Sequence, residues 1–574
     1  MPRTPGSDYT DSGMVIRYLV PLLFAAAAVA QPPTDSKPGA LEGAVVNSVT
    51  GAPVRKADLT LANGDMSPEI AAVMKQFGRD STGMGKVSTK TLTAATDAAG
   101  KFRFENVPPG DYWLSAKKAG YGDERYKPKG TAAGPGGSVR LSPGQELKDV
   151  DFRLVPHGTI SGRVLDEDDE PVPSAMVSAL AYRFDHGRRR LIPSDVAMAN
   201  NRGEFSLGKL PPGHYLVCAS VMRMELPETV APPPADGSPE TAYVRTYIPN
   251  TTDPVQAEKV DIAPGGEVSG LSIRMQKSVV VRVKGKLIDE TGQPMKNAQI
   301  MLMAGGGHVG SMSMTMVSDP EGKFELVNVQ PGTYTIMTVQ MQGSSPKMTM
   351  QPLFVPDKGI DNLKLGARAD ATIQGKVAVD GDAKIPLKEF SLMLTSADGL
   401  AVMPASGKAD ETGAFTLAHV APAAYDLTFP FMPEGVYLKS VEFNGRETLG
   451  RELDCSSLTS GTLRVLLGSD GGKVEGSVSH EDKPAADATV VLVPADPNRR
   501  FPEAVRRSPS DEKGRLTLKD VPPGDYLAFA WEEAEEGMWF DLDFMKAAEV
   551  QAVKVQVEPK ASQAIDLKLL PAPK

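Results

Sequence analysis

A chain of 574 residues is too long for one compact core, since domains of about 100–200 residues put the count at roughly three to six. Its 62 basic and 72 acidic side chains leave a net charge of −10, and the acids are interspersed along the chain, which excludes the basic face that a nucleic-acid binder needs. Hydrophobic residues make up 41% and charged residues 23%, as in a globular chain, while 55 Gly and 48 Pro favour turn-rich β structure over helix.

The chain opens with the one segment apolar enough to concern a membrane, residues 18–30, and at about a dozen residues it is too short to cross one. Arg17 supplies a positive flank, residues 19–29 the apolar region and Ala28-Val29-Ala30 a small-residue cleavage site, so residues 1–30 read as a signal peptide and Gln31 as the first mature residue. Asp8 and Asp11 are at odds with a basic leader, which leaves Met14 beside Met1 as a start. No Cys follows the cleavage site, which argues against a lipoprotein. On this reading no integral membrane segment remains after cleavage, and the protein is exported to the periplasm or the cell surface.

From there a phrase repeats five times. Asp97-Ala98-Ala99-Gly100-Lys101-Phe102 leads to Pro109-Gly110-Asp111-Tyr112, and Asn201-Arg202-Gly203-Glu204-Phe205 leads to Pro212-Gly213-His214-Tyr215. Asp319, Gly322 and Phe324 with Tyr334 form the third copy, Asp410, Gly413 and Phe415 with Tyr425 the fourth, and Asp511, Gly514 and Leu516 with Tyr526 the fifth. The Phe or Leu stands ten residues before the Tyr in each. Upstream lies a Gly-x-Val-like strand (Gly43, Gly162, Gly285, Gly375, Gly476), and downstream an alternating strand such as Ile565-Asp566-Leu567-Lys568-Leu569, whose period of two marks a half-buried strand.

The local chemistry explains the phrase. Asp accepts hydrogen bonds from its own turn, Gly takes the positive φ, and Pro-Gly turns the chain again before the Tyr strand. Units of about 90–120 residues with many short strands suit antiparallel β-sandwiches. The expected fold is all-β, a tandem array of five antiparallel sandwiches of prealbumin or immunoglobulin type, at 31–156, 157–277, 278–369, 370–470 and 471–574, strung like beads on short linkers. Ser67-Pro68 followed by an apolar run and Gly78 predicts a short helix in the first unit, and residues 542–548 a turn or two of helix in the fifth.

The phrases Gly162-Arg163-Val164-Leu165-Asp166 with Pro171-Val172, and Asn201-Arg202-Gly203-Glu204-Phe205 with Pro211-Pro212-Gly213-His214-Tyr215, resemble the carboxypeptidase regulatory-like domain. The resemblance covers nearly the whole mature chain. It implies transthyretin-type, seven-stranded sandwiches of the carbohydrate-binding-like fold group, which serve as accessory modules of bacterial exported and surface proteins. The fourth unit departs from it at Ala423, where the others have Gly, and the fifth at Leu516, where they have Phe.

Catalytic motifs are missing from the sequence: the six His (157, 186, 214, 308, 419 and 480) form no zinc signature, and there is no nucleophile elbow, P-loop or dinucleotide fingerprint. Cys218 and Cys455 fall in different units and read as small buried hydrophobes. No cofactor is expected. Trp531, Trp539, Phe540 and Phe544 are the candidate sugar-stacking faces, with Trp113 expected in the core. His308 with Met312, Met314 and Met316 is the candidate for a soft metal, Cu(I). The run Asp166-Glu167-Asp168-Asp169-Glu170 reads as a solvated turn rather than a calcium loop, and Arg188-Arg189-Arg190 as an exposed strand. The function expected from the sequence is non-enzymatic: binding or structural display, with a polysaccharide as the favoured ligand by family resemblance. The alternative is a scaffold for surface or periplasmic proteins, and periplasmic Cu(I) binding ranks third.

Overall fold

The computed structural model describes residues 37–572, except 64–89, 127–137, 186–187, 222–230, 290, 305–311, 318, 343–344, 367–369, 382, 384, 398–403, 434, 451 and 533. The signal-peptide segment 1–30, the helix expected at 67–78, and His308 with its glycine-rich loop lie outside the described residues. The regular structure elsewhere is almost all strand, with one α-helix, Leu542–Ala548. That helix starts where the sequence places it because the Asp541 carboxylate accepts from the Phe544 amide at 2.8 Å and caps it.

One arrangement recurs five times. In the second copy, strand Gly158–Leu165 lies between Glu204–Leu210, antiparallel to it, and Glu267–Arg274, parallel to it. The facing sheet runs Arg188–Met198, Met176–Asp185, Gly213–Ser220, with Thr246–Tyr247 and Lys259–Ile262 both paired to Gly213–Ser220. Strands Gly39–Asn47, Val281–Ile288, Ala371–Asp380 and Gly472–His480 hold the same central place, each with an antiparallel partner on one side and a parallel closing strand on the other. The parallel pair is a departure from purely antiparallel sandwiches: the closing strand returns along the first strand instead of extending the meander.

Each sheet pair encloses its own buried cluster. The first is built on Leu41, Phe102, Tyr112 and Phe152, the second on Ile160, Phe205, Tyr215 and Ile273, and the third on Val283, Phe324, Tyr334 and Leu365. The fourth contains Ile373, Phe415, Tyr425 and Leu463, and the fifth Val474, Leu516, Tyr526 and Ile565. Leu516 fills the Phe position at 4% exposure, so the fifth copy loses a ring and keeps the packing.

The repeated polar residues act through the backbone. Asp97 Oδ1 accepts from the amides of Ala99 and Lys101, both at 2.8 Å, and Asn200, Asp410 and Asp511 do the same in their turns. The Tyr hydroxyl donates to the carbonyl four residues back in all five copies: Tyr112 to Pro108, Tyr215 to Pro211, Tyr334 to Gln330, Tyr425 to Ala421 and Tyr526 to Pro522. This bond closes the Pro-Gly corner from inside, so a buried hydroxyl is satisfied and the entry of the next strand is fixed. At the fourth corner Ala423 packs its methyl against the cluster. The glycine of the Gly-x-Val strand is required by crowding: a Cβ on Gly162 would lie 2.1 Å from the Leu271 carbonyl oxygen of the parallel closing strand.

The units are not independent beads. The hairpin Met176–Asp185/Arg188–Met198 of the second unit meets the fourth and the fifth. The Arg190 guanidinium donates to the Ala397 carbonyl in the fourth. In the fifth, Arg183 lies 3.6 Å from Glu535, and Phe184 packs on a cluster holding Trp531, Met538 and Trp539. Gly537, at φ +90°, leaves room there, since a Cβ on it would come within 2.6 Å of Phe184 Cβ.

Candidate functional site

The fifth unit also reaches into the fourth. Its stretch between strands Thr489–Pro494 and Arg506–Pro509 forms two 3-10 turns, Pro497–Arg499 and Pro502–Ala504. Between them Phe501 turns inward, 6% exposed, and with Ala504 joins the buried cluster of the fourth sandwich. Arg500 anchors the stretch: only 4% exposed, it donates to the carbonyls of Pro494 at 2.9 Å and Ala495 at 3.2 Å, and to Glu549 at 2.9 Å. Two charge-neutral acceptors and one carboxylate satisfy a guanidinium that burial would otherwise penalise.

Beside Phe501 opens a cleft of about 440 Å³, lined from the fourth unit by Asp426, Thr428, Phe429, Thr448 and Glu452, and from the fifth by Arg500, Phe501, Glu503 and Phe540. Three phenyl rings and several carboxylates thus share one concave surface, the mixture of apolar area and a few convergent polar groups that small-molecule sites use. The carboxyl of Glu503 is pushed up to about 7, first by burial and further by the nearby Asp426 charge, with Arg506 opposing. Arg506 is itself turned away from the cleft, donating to the Asp520 carbonyl at 2.9 and 3.2 Å, and burial lowers the pKa of its guanidinium.

A pH dependence follows. The folded value for Glu503 stands above its ordinary 4.5, so the folded state holds the proton more tightly. The stability this gives is complete below about pH 4.5 and lost as pH rises through about 7. A tenfold difference in proton affinity is worth about 1.4 kcal/mol, and solvent in the cleft reduces the whole effect to about 1–2 kcal/mol. Denaturant unfolding of the wild-type chain at pH 5 and pH 8 is expected to show that loss, and Glu503→Gln to remove it.

Of the residues proposed for sugar stacking, Trp531 and Trp539 are each 3% exposed and lie inside the cluster that Phe184 covers. Neither offers a face to a ring from solution, which corrects the expectation for both: Trp531 stacks on Phe529 at 4.7 Å, and Trp539 is sealed by the second unit's hairpin. Phe544 is half-buried against Trp531. Phe540 alone of the four lines the cleft. Trp113 is half-buried, not in the core, with the Arg125 guanidinium 5.0 Å above its ring. It follows Tyr112 on its strand and so takes the opposite face.

The other residues singled out are accounted for more simply. In the acidic run, Asp166 Oδ1 accepts from the amides of Asp168 and Glu170, both at 2.9 Å. Arg274 pairs with Asp169, and Lys277 with Glu167, which holds that carboxyl down to about 2. Arg189 stacks over Tyr182 at 4.2 Å. Both cysteines are buried and free, their thiols pushed up to about 11 and about 12 by desolvation. Among the described residues no group of three His, Cys, Asp or Glu is placed to hold a metal ion, and no helix is long and apolar enough to cross a membrane.

Known proteins resemble parts of the chain. The family model for the carboxypeptidase regulatory-like domain matches residues 40–155 and 282–354, the first and third of the repeated sheet pairs. Two stretches of this chain thus match the carboxypeptidase regulatory-like domain. Colossin-A of Dictyostelium discoideum is 24% identical over 363 residues, which is 58% of this chain and 3% of that protein. The chain therefore spans a small fraction of the length of this curated relative. Among solved structures, the minor pilin GBS52 of Streptococcus agalactiae is 12% identical over 42% of this chain and 96% of its own, with a TM-score of 0.22. The Bacillus anthracis TIE protein is 11% identical over 72% of this chain and 74% of its own, with a TM-score of 0.17. The regulatory-like units of this chain are β-sandwiches, as the resemblance implied.

Proposed function

We propose that this protein is an exported, non-enzymatic array of five regulatory-like modules, bounded near 156, 277, 369 and 470, that works at the cell surface or in the periplasm and binds a polysaccharide at the junction of its fourth and fifth modules. The observation that carries this reading is the cleft. The half-buried Phe429 and Phe540 supply apolar rings of the kind that pack on sugar faces, with the buried Phe501 beneath them, while Asp426, Glu452, Glu503 and Thr448 supply acceptors for hydroxyl groups. The test is affinity electrophoresis of residues 31–574 against a polysaccharide panel, with Phe540→Ala beside the parent. Phe540 is half-buried and lines the cleft, whereas truncating the buried Trp539 would damage packing first. Retardation by one polymer that falls at least tenfold in the variant supports sugar binding in the cleft. Retardation that survives the substitution moves sugar binding to another module, and no retardation on any polymer favours the scaffold reading, with a protein partner.

A further inference from the structure

The third unit carries methionines in a pattern that neither the carboxypeptidase regulatory-like fold nor the cleft explains. Its four-stranded sheet runs Met312–Val317, Ala298–Ala304, Gly332–Gln342, Ser345–Val355. The register places Met314 opposite Met301, Met301 opposite Met337, and Met337 opposite Met350. One row of methionine thus crosses all four strands, and Met303 follows two residues along the same face.

This row is not on the core side. The core is filled by the alternate residues Ile300, Leu302 and Ile336, with Thr338 and Thr349 hydrogen-bonded between strands, so Met301, Met337 and Met350 stand on the outer face. Outer-face residues are ordinarily wet, and Phe354, four residues beyond Met350 on that face, is 68% exposed. Met337 and Met350 are nonetheless 6% and 3% exposed, with Met301 and Met303 half-buried. Directly opposed residues on adjacent strands hold their Cβ atoms about 4.5–5.5 Å apart, so Met301 and Met350, on either side of Met337, stand about 9–11 Å apart, a span that two long flexible thioethers can close on one ion.

We propose that Met301, Met337 and Met350 form a thioether site for monovalent copper on the outer face of the third unit. Thioether sulfur is a soft ligand that selects Cu(I) over the hard and borderline cations. A site shielded from water, with no carboxylate in the row itself, favours a soft monovalent ion over Ca²⁺ or Mg²⁺, which need oxygen ligands. The set differs from the one the sequence favoured, His308 with Met312, Met314 and Met316, whose side chains lie outside the described residues: its three ligands come from three adjacent strands.

The test is anaerobic titration of the whole chain with Cu(I) against a chromophoric Cu(I) chelator, with Ag(I) as a redox-inert second probe. The parent is expected to withdraw one Cu(I) per chain from the chelator. Met337→Leu/Met350→Leu, which keeps volume and removes sulfur, is expected to weaken binding at least tenfold with an unchanged circular dichroism spectrum and Tm. X-ray absorption of the loaded parent is expected to show a sulfur-only shell. Failure to compete for Cu(I), full affinity in the double variant, or binding lost in His308→Ala but kept in the double variant would each overturn the assignment. If the double variant unfolds, the absorption spectrum of the parent decides, a nitrogen- or oxygen-containing shell counting against it.

Discussion

Phe501→Ala is expected to destabilise the fourth sandwich by about 3–5 kcal/mol, the cost of emptying a well-packed aromatic site, although the residue belongs to the fifth repeat. Phe501 is 6% exposed within a cluster that includes Phe390, Phe415 and Tyr425. Gly450, at φ +69°, makes room for it, since a Cβ there would stand 2.7 Å from the ring. Further bonds hold the junction, among them Gly435 N to Asp520 at 3.2 Å, but they are exposed and polar and contribute little. Differential scanning calorimetry should therefore show the fourth and fifth units melting together in the parent and the fourth melting earlier in the variant. An unchanged transition would mean that the ring is not what couples them.

Gly476→Ala is expected to cost about 3 kcal/mol, at the upper end of what overpacking does. The added Cβ would lie 1.8 Å from the carbonyl oxygen of Ile565, a backbone atom that moves only if strands Gly472–His480 and Ser562–Lys568 part. Gly366→Ala is the control: no atom lies within 4 Å of its Cβ position, so a change within about 0.5 kcal/mol is expected. Urea denaturation followed by Trp fluorescence of the fifth unit measures the first. Equal effects in the two variants would show that the penalty is not steric.

Much of the architecture could be read because the informative residues act locally. Asp97 bonds to amides two and four residues on, and Tyr112 to a carbonyl four residues back, so the turn and corner are written within one phrase and recur with it. Burial of Phe102 and Phe104, at 4% each, follows from alternation alone. The cleft was not legible. Asp426 and Glu503 come from different repeats, and Phe501 is a lone aromatic between short turns, with no period to mark it as core. Trp539 misled for the same reason: beside Gly537 and a glutamate pair it looks like a solvent loop, and what covers it is Phe184, contributed by the second unit. Alternate methionines at 312, 314 and 316 did point to the third unit's unusual sheet. Only the strand register identified Met301, Met337 and Met350 as neighbours.

The parallel pairing of first and last strands has a mechanical consequence. In the second unit Gly158–Leu165 carries the incoming chain and Glu267–Arg274 the outgoing one, joined side by side in the same direction. In the fifth, Gly472–His480 and Ser562–Lys568 are joined likewise. Tension applied between the entry and exit of such a unit slides one strand along the other, so the rungs of the ladder share the load instead of opening one at a time like a zipper. Entry strands follow closely on exits, as Gly158 does on Leu154 and Gly472 on Gly468, and little slack separates one loaded ladder from the next. A unit built this way resists extension by shear along the whole ladder.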